Sequence, residues 1–127
     1  MSETEIYNWL GLEALPLFSA SIEIMESETK QQHVYTLHLE RDQYIIDNNF
    51  VIRIICYYQT QLNKTMFYYA QLRRWNDNLN DDNEANKNTI TGLLEKVENI
   101  QKLSQSIIKI ANVLQFKKFK CGRPCIC

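Results

Sequence analysis

Glycine and proline are scarce in this chain of 127 residues, which contains three glycines and two prolines. Neither residue type occurs between Pro16 and Gly92. Tight β-hairpin turns favour glycine, or asparagine followed by glycine, because their backbone adopts positive φ angles. Four or five β-strands in this stretch would need several such turns. The scarcity of glycine therefore argues against a β-meander and favours helices.

The chain also lacks the patterns of several functional classes. No apolar run approaches the ~20 residues that a membrane span requires, and no basic, then apolar, leader is present at the N-terminus. We therefore expect a cytoplasmic or nuclear protein. His33 and His38 are the only histidines, and they suggest no Ser-His-Asp or Cys-His set. Cys56 lies among apolar neighbours, which predicts a packing role. We expect no enzymatic activity and no cofactor.

Acidic residues are missing from one part of the chain. Residues 1–52 contain nine Asp or Glu and two Lys or Arg, whereas no acid follows residue 98. The basic residues after that point are Lys102, Lys109, Lys117, Lys118, Lys120 and Arg123. This asymmetry has two interpretations, which are solvated helix ends and a basic tail that contacts an anionic surface.

Cysteines cluster in the tail, residues 118–127, at Cys121, Cys125 and Cys127. A structural zinc site needs four ligands, and neither a Cys-x-x-Cys pair nor a nearby histidine is available. We therefore expect no metal. The ending Cys-Ile-Cys, after basic residues, resembles the doubly prenylated Cys-x-Cys terminus of Rab-type small GTPases. The phosphate-binding loop of those enzymes is absent here, so we expect a polar tail with free thiols and no membrane partner.

Residues 50–58, FVIRIICYY, have the β-branched and aromatic composition of a strand. However, strand alternation would place apolar residues on both faces. Alternating steps of three and four residues instead reach apolar or tyrosine side chains at ten of fourteen positions, which indicates a helix with a continuous seam. The positions are Val34, Leu37, Arg41, Tyr44, Asn48, Val51, Ile55, Tyr58, Leu62, Thr65, Tyr69, Leu72, Asn76 and Leu79. We predict one long helix over residues 32–78, with an interruption allowed near 47–49.

A second three–four series follows a polar connection at residues 79–88. It predicts a helix over residues 89–117. Its members are Ile90, Leu93, Val97, Ile100, Ser104, Ile107, Ala111 and Leu114. Residues 1–31 form an N-terminal segment, in which Ser2 is a candidate cap for a short helix. Residues 17–31 fit either a helix or a strand.

These elements predict a single all-α domain, an elongated antiparallel helical hairpin or coiled-coil-like bundle with a short N-terminal helical segment. If Leu79 lies beside Ile90, the second helix ends near Ile55 and leaves residues 34–54 without a neighbour. Either residues 3–30 or another chain must then cover them. The predicted interface comprises Val34, Leu37, Arg41, Tyr44, Asn48, Val51, Ile52 and Ile55.

The expected function is a non-catalytic assembly subunit that self-associates or binds helical partners, in a cytoskeletal or chromosome-associated complex. The alternative is a small α+β module that binds a ligand, toxin or effector. Arg73, Arg74 and Trp75 combine basic and aromatic residues, as nucleic-acid surfaces do. We instead expect Trp75 to pack inside the bundle, and we expect no nucleic-acid partner.

Overall fold

A computed structural model of the chain describes residues 10–42, 47–79 and 83–120, without the side chains of residue 42 and residues 115–120. A single 3₁₀ turn at Leu12–Ala14 precedes helix α1, Leu15–Asp42. Helix α2 spans Asn48–Asn78, and helix α3 spans Glu84–Lys120. None of these described residues is in a β-strand. The predicted all-α fold is confirmed, and the alternative α+β fold is wrong for this part of the chain.

The helix predicted over residues 32–78 is divided into two. Helix α2 begins after Asp47, whose Oδ1 atom accepts a hydrogen bond of 3.0 Å from the backbone N–H of Asn49. This cap satisfies one of the donors left free in the first turn of a helix. The interruption allowed near 47–49 is therefore found. The preceding helix starts at Leu15 instead of residue 32, so residues 17–31 are helical. The candidate helix near Ser2 lies outside the described residues.

The connection before the last helix is shorter than the predicted 79–88. Helix α2 ends at Asn78, where the backbone N–H of Leu79 donates to the carbonyl oxygen of Asn76. Helix α3 begins at Glu84 and extends beyond the predicted 89–117 in both directions. Glu84 lies in the first turn, where a negative charge interacts favourably with the helix dipole.

The three described helices form a bundle in which α3 packs against both α1 and α2. Helices α1 and α3 are parallel, because their contacts recur at a constant separation of 73 residues along the chain. The contacting pairs are Glu23 with Lys96, Glu26 with Asn99, and His33 with Ser106. Helix α2 is antiparallel to both. Helix α1 lies alongside α3, and Leu39, Val51 and Ile54 are buried. The described residues between 34 and 54 therefore do not project beyond the last helix, contrary to the prediction.

The core consists of two clusters. The larger one contains residues of all three helices, namely Leu15, Phe18, Ile22, Leu72, Trp75, Ile90, Leu93, Val97 and Ile100. The smaller one is built from α2 and α3 alone, by Val51, Ile54, Tyr58, Ile107 and Ala111. The three–four series predicted for α3 is confirmed, since seven of its eight members are buried and Leu114 is half-buried.

The buried face of α2 differs from the predicted one. Its buried positions are 51, 54, 58, 61, 65, 71, 72 and 75, whereas positions 55, 62, 69 and 76 of the predicted series are half-buried. Helix α2 contacts two neighbours, and contacts with α1 turn Gln61 and Trp75 inward. A buried face predicted from contact with a single partner helix therefore includes only part of the face that is buried.

Candidate protein-binding groove between the first two helices

Helices α1 and α2 approach α3 closely but have few close backbone contacts with each other, which leaves a groove between them. Tyrosine and phenylalanine line this groove, and we call it the aromatic groove. Its lining residues are Glu28, Gln31, Gln32, Tyr35, Phe50, Arg53, Ile54, Tyr57 and Tyr58. Four of these nine residues are aromatic, and the groove is therefore the candidate functional site.

Exposed apolar side chains follow the α1 wall of the aromatic groove. Leu17, Ile24 and Tyr35 are 69%, 58% and 50% exposed. Their helical spacing places them on the same side as Glu28 and Gln31, which line the groove. The wall therefore extends as one stripe over about five turns of α1.

A matching stripe follows the α2 wall. Phe50 and Tyr57 line the groove and are 38% and 57% exposed. Phe67 continues this stripe at 37% exposure, and its ring centroid lies 6.1 Å from that of Phe18 on α1. Tyr35, Phe50 and Tyr57 thus line the aromatic groove, and the exposed side chains of Leu17, Ile24 and Phe67 continue its two walls along the helices.

The two walls differ in charge. Glu28 lies on the α1 wall, and Arg53 lies on the α2 wall. Lys64 falls on the α2 stripe between Tyr57 and Phe67, because the four residues Arg53, Tyr57, Lys64 and Phe67 share one helical face. The groove therefore has an acidic wall and a basic wall, which constrains the charge of anything that binds along it.

Tyr58 lies at the base of the groove. Burial, together with the nearby Tyr57 and Glu28, raises the pKa of the phenol to about 12. The Tyr58 ring also packs edge-on against Tyr57, with centroids 4.9 Å apart. This phenol consequently stays neutral at physiological pH and forms part of an uncharged aromatic floor.

A buried polar layer beneath the groove joins all three helices. The Nε2 atom of Gln61 donates to Thr29 Oγ1 at 2.8 Å and to Ser104 Oγ at 3.0 Å. Thr29 in turn donates to the carbonyl oxygen of Met25 at 2.6 Å. Among the described residues, no buried side-chain polar atom is left without a partner. The layer fixes the axial position of α1 against α2, and therefore the relative height of the two walls.

The chain segment before α1 is tied to α2 at one end of the bundle. Gln71 Oε1 accepts from the backbone N–H of Leu10 at 2.8 Å, and Gln71 Nε2 donates back to the carbonyl oxygen of Leu10 at 3.4 Å. Trp75 Nε1 donates to the same carbonyl oxygen at 2.8 Å. Trp75 is 6% exposed, so its predicted position inside the bundle is confirmed.

The structure does not gather the predicted interface into one surface. Val34, Leu37 and Ile52 are exposed, at 53%, 41% and 40%. Arg41 is exposed on α1, where its guanidinium lies 2.7 Å from His38 Nδ1. Tyr44 lies outside the described residues.

The other members of that interface belong to the fold of the chain itself. Val51 is 2% exposed and lies in the smaller core cluster, and Ile55 is half-buried against it. Asn48 is half-buried in the first turn of α2. Val51 and Ile55 are covered because α2 packs against α3, whereas the predicted second helix ended near Ile55 and left Val51 without a neighbour.

The aromatic groove itself was not predicted from the sequence. The signal in α1 is a three–four series through Leu15, Phe18, Ile22, Met25, Thr29, Gln32, Thr36 and Leu39, which the structure places at buried or half-buried positions. Three of the last four members are polar, so a search for apolar periodicity does not detect the series. Because α1 provides one wall of the groove, the groove cannot be predicted unless α1 is recognised as a helix.

Other chemical features are sparse in the described part of the chain. Residues 10–42, 47–79 and 83–120 contain no group of three His, Cys, Asp or Glu arranged to hold a metal ion. Cys56 is exposed, so the packing role predicted for it is wrong. Cys121, Cys125 and Cys127 lie outside the described residues. None of the described helices combines the length and hydrophobicity needed to cross a membrane.

Comparison of the chain with models of known protein families, with curated proteins and with solved structures finds no match.

Proposed function

We propose that this protein is a non-catalytic assembly subunit that binds a helical segment, from its own kind or another chain, along the aromatic groove. The observation that carries the proposal is the pair of exposed stripes, Leu17, Ile24 and Tyr35 on α1 and Phe50, Tyr57 and Phe67 on α2. Monomeric proteins rarely expose contiguous apolar patches of more than a few hundred Å². Burial of one large apolar side chain contributes about 1.5–3 kcal/mol relative to exposure.

The shape of the groove supports a helical occupant. Two neighbouring helices present a valley into which the side chains of a further helix can pack, at interaxial distances of about 8–10 Å. An occupant there would contact both stripes and complete a larger helical bundle. An amphipathic helix presents anchors at three- and four-residue spacing, which match stripes of the same period.

Site-specific photo-crosslinking tests this proposal. A benzophenone amino acid replaces Tyr57 in the full chain, and a matched variant carries it at Asn63, which is exposed on another face of α2. We expect crosslinks from position 57 to a helical peptide of a second chain and none from position 63. Equal crosslinking from both positions, or no intermolecular product from position 57, would contradict the proposal.

The proposed setting is a cytoskeletal or chromosome-associated complex in the cytoplasm or nucleus. Microscopy of the tagged chain tests it, because such complexes give filamentous or chromatin-associated patterns. A diffuse signal, unchanged when Tyr57 is replaced by glutamate, would contradict this setting without affecting the crosslinking result.

A further inference from the structure

The relative height of the two groove walls follows from the buried polar layer. The hydrogen bond between Gln61 and Thr29 places these two residues at one level of the antiparallel pair α1 and α2. Phe18 supports the same register, because its ring packs 4.9 Å from that of Tyr68 and 5.0 Å from that of Trp75. With a rise of about 1.5 Å per residue, heights along the two walls can be compared directly.

In this register, apolar side chains of the two walls lie at similar heights, and an acidic residue of one wall lies at the height of a basic residue of the other. Ile24 falls within about 2 Å of the level of Phe67, and Tyr35 within about 3 Å of the level of Tyr57. Glu28 falls within about 3 Å of the level of Lys64. Each member of a pair lies on the opposite wall from the other. Leu17 and Phe50 lie at opposite ends of the groove, at the levels of Arg73 and Glu40. The groove is therefore complementary to itself in its middle section, from Ile24 to Tyr35.

A two-fold axis parallel to the helices exchanges the α1 wall for the α2 wall without changing height. Under that symmetry, Ile24 meets Phe67 of the partner subunit, and Glu28 meets Lys64 of the partner subunit. Each contact occurs twice, as an isologous interface requires. The groove thus fits a second copy of this chain in a single register.

We propose that the occupant of the aromatic groove is a second copy of this chain, related by a two-fold axis parallel to the bundle. This proposal rests on the proposed function and names its partner. In it, the apolar stripes of the two copies cover each other, while Glu28 of each copy pairs with Lys64 of the partner subunit.

Two further observations support the dimer. Glu28 and Lys64 are exposed, and neither makes an ion pair within the described part of the chain. In this register the two stripes together cover the levels from Leu17 to Phe50, about 34 Å, and two helices are about 20 Å wide, which gives a flat footprint of about 690 Å². Specific dimers bury about 600–1,000 Å² per partner, so the footprint, once side-chain relief is included, is of the right size.

Sedimentation equilibrium of the purified full chain tests the dimer and its register. We expect the unmodified chain to dimerise, and either Glu28→Lys or Lys64→Glu to weaken dimerisation about tenfold, because each places like charges opposite each other twice. Mixing the two variants should restore a dimer. One contact then pairs the two introduced charges, and the other pairs the two native charges.

The matched controls are Glu95→Lys and Lys102→Glu, charge reversals at exposed positions of α3 that should leave dimerisation unchanged. Circular dichroism checks that each variant stays helical, and Glu28→Gln and Lys64→Gln replace any variant that does not. These neutral variants should each weaken dimerisation by a smaller factor.

Three results would overturn the proposed dimer. The first is a chain that stays monomeric at its highest soluble concentration, and the second is a dimer whose affinity neither charge reversal changes. The third is a mixture of the two variants that does not dimerise more strongly than each variant alone. A monomer that still crosslinks from position 57 to a different helical protein would overturn the dimer but leave the proposed function standing. Absence of any crosslink would contradict both.

Discussion

Replacement of Gln61 by leucine should reveal the contribution of the buried polar layer to stability. Gln61 is 6% exposed and donates two hydrogen bonds, to Thr29 and Ser104. Each buried hydrogen bond contributes about 0.5–1.5 kcal/mol net. Leucine removes both bonds but retains much of the volume and adds apolar surface. We expect the free energy of unfolding to fall by about 1–2 kcal/mol.

Chemical denaturation followed by circular dichroism measures this change. Urea slopes of about 1–3 kcal/mol per molar translate it into a midpoint lower by roughly 1 M. Thr60→Ala is the matched control, because Thr60 is exposed and its hydroxyl donates only to Cys56 of the same helix at 3.0 Å. The control should change stability by less than about 0.5 kcal/mol.

A triple substitution tests whether the loss of stability in Gln61→Leu comes from the polar groups that are left without a partner. When Thr29→Val and Ser104→Ala accompany Gln61→Leu, no polar group of the layer remains without its partner. Removal of all the partners together is nearly neutral or stabilising. We therefore expect the triple variant to recover to within about 1 kcal/mol of the unmodified chain. If Gln61→Leu alone is neutral, or if the triple variant is the least stable of the set, the reasoning is refuted.

Three further predictions concern other parts of the bundle. Gly92→Ala should raise the free energy of unfolding by about 0.5–1 kcal/mol, since an added Cβ meets nothing within 4 Å and helical glycine is unfavourable; an unchanged denaturation midpoint would contradict this. Tyr58, with its pKa of about 12, should give a late tyrosinate absorbance step that Tyr58→Phe removes. Because the unfolded chain releases that proton near pH 10, stability should fall between about pH 10 and 12 and be fully present below. Trp75→Phe should lower stability by about 1–2 kcal/mol by denaturant titration, because it removes the hydrogen bond to Leu10 and part of the contact with Phe18; a neutral effect would contradict that account.

The helical period of the sequence was sufficient to predict α3 and much of α2. In α3, apolar residues occupy nearly every inward position, and the series from Ile90 to Ala111 is buried as predicted. The period alone could not place the end of α1 or the start of α2, because the apolar spacing continues in phase across residues 43–46. The side-chain cap of Asp47 separates the two helices, and a single aspartate is a weak signal in a chain rich in Asn and Asp.

The candidate site was less predictable, because it depends on which helices become neighbours. Thr29 and Gln61 are polar, so periodicity of apolar residues assigns both to the surface, yet each is buried and bonded to the other. The predicted interface was drawn on residues 34–55 of one long helix. In the structure Val51 belongs to the core, and the exposed stripes beside the groove lie elsewhere, along Leu17 to Tyr35 and Phe50 to Phe67.

The smaller core cluster has a consequence for the order in which the bundle assembles. Helices α2 and α3 are joined by a short connection, and the described members of that cluster all belong to them. We expect their contacts to form early in folding, because the loops that these contacts close are short. The contacts of α1 with α3 span 73 residues, so we expect this helix to dock last and to detach first. Amide hydrogens of α1 should therefore exchange with solvent faster than those of the α2–α3 hairpin, and uniform protection of all three helices would argue for one cooperative unit.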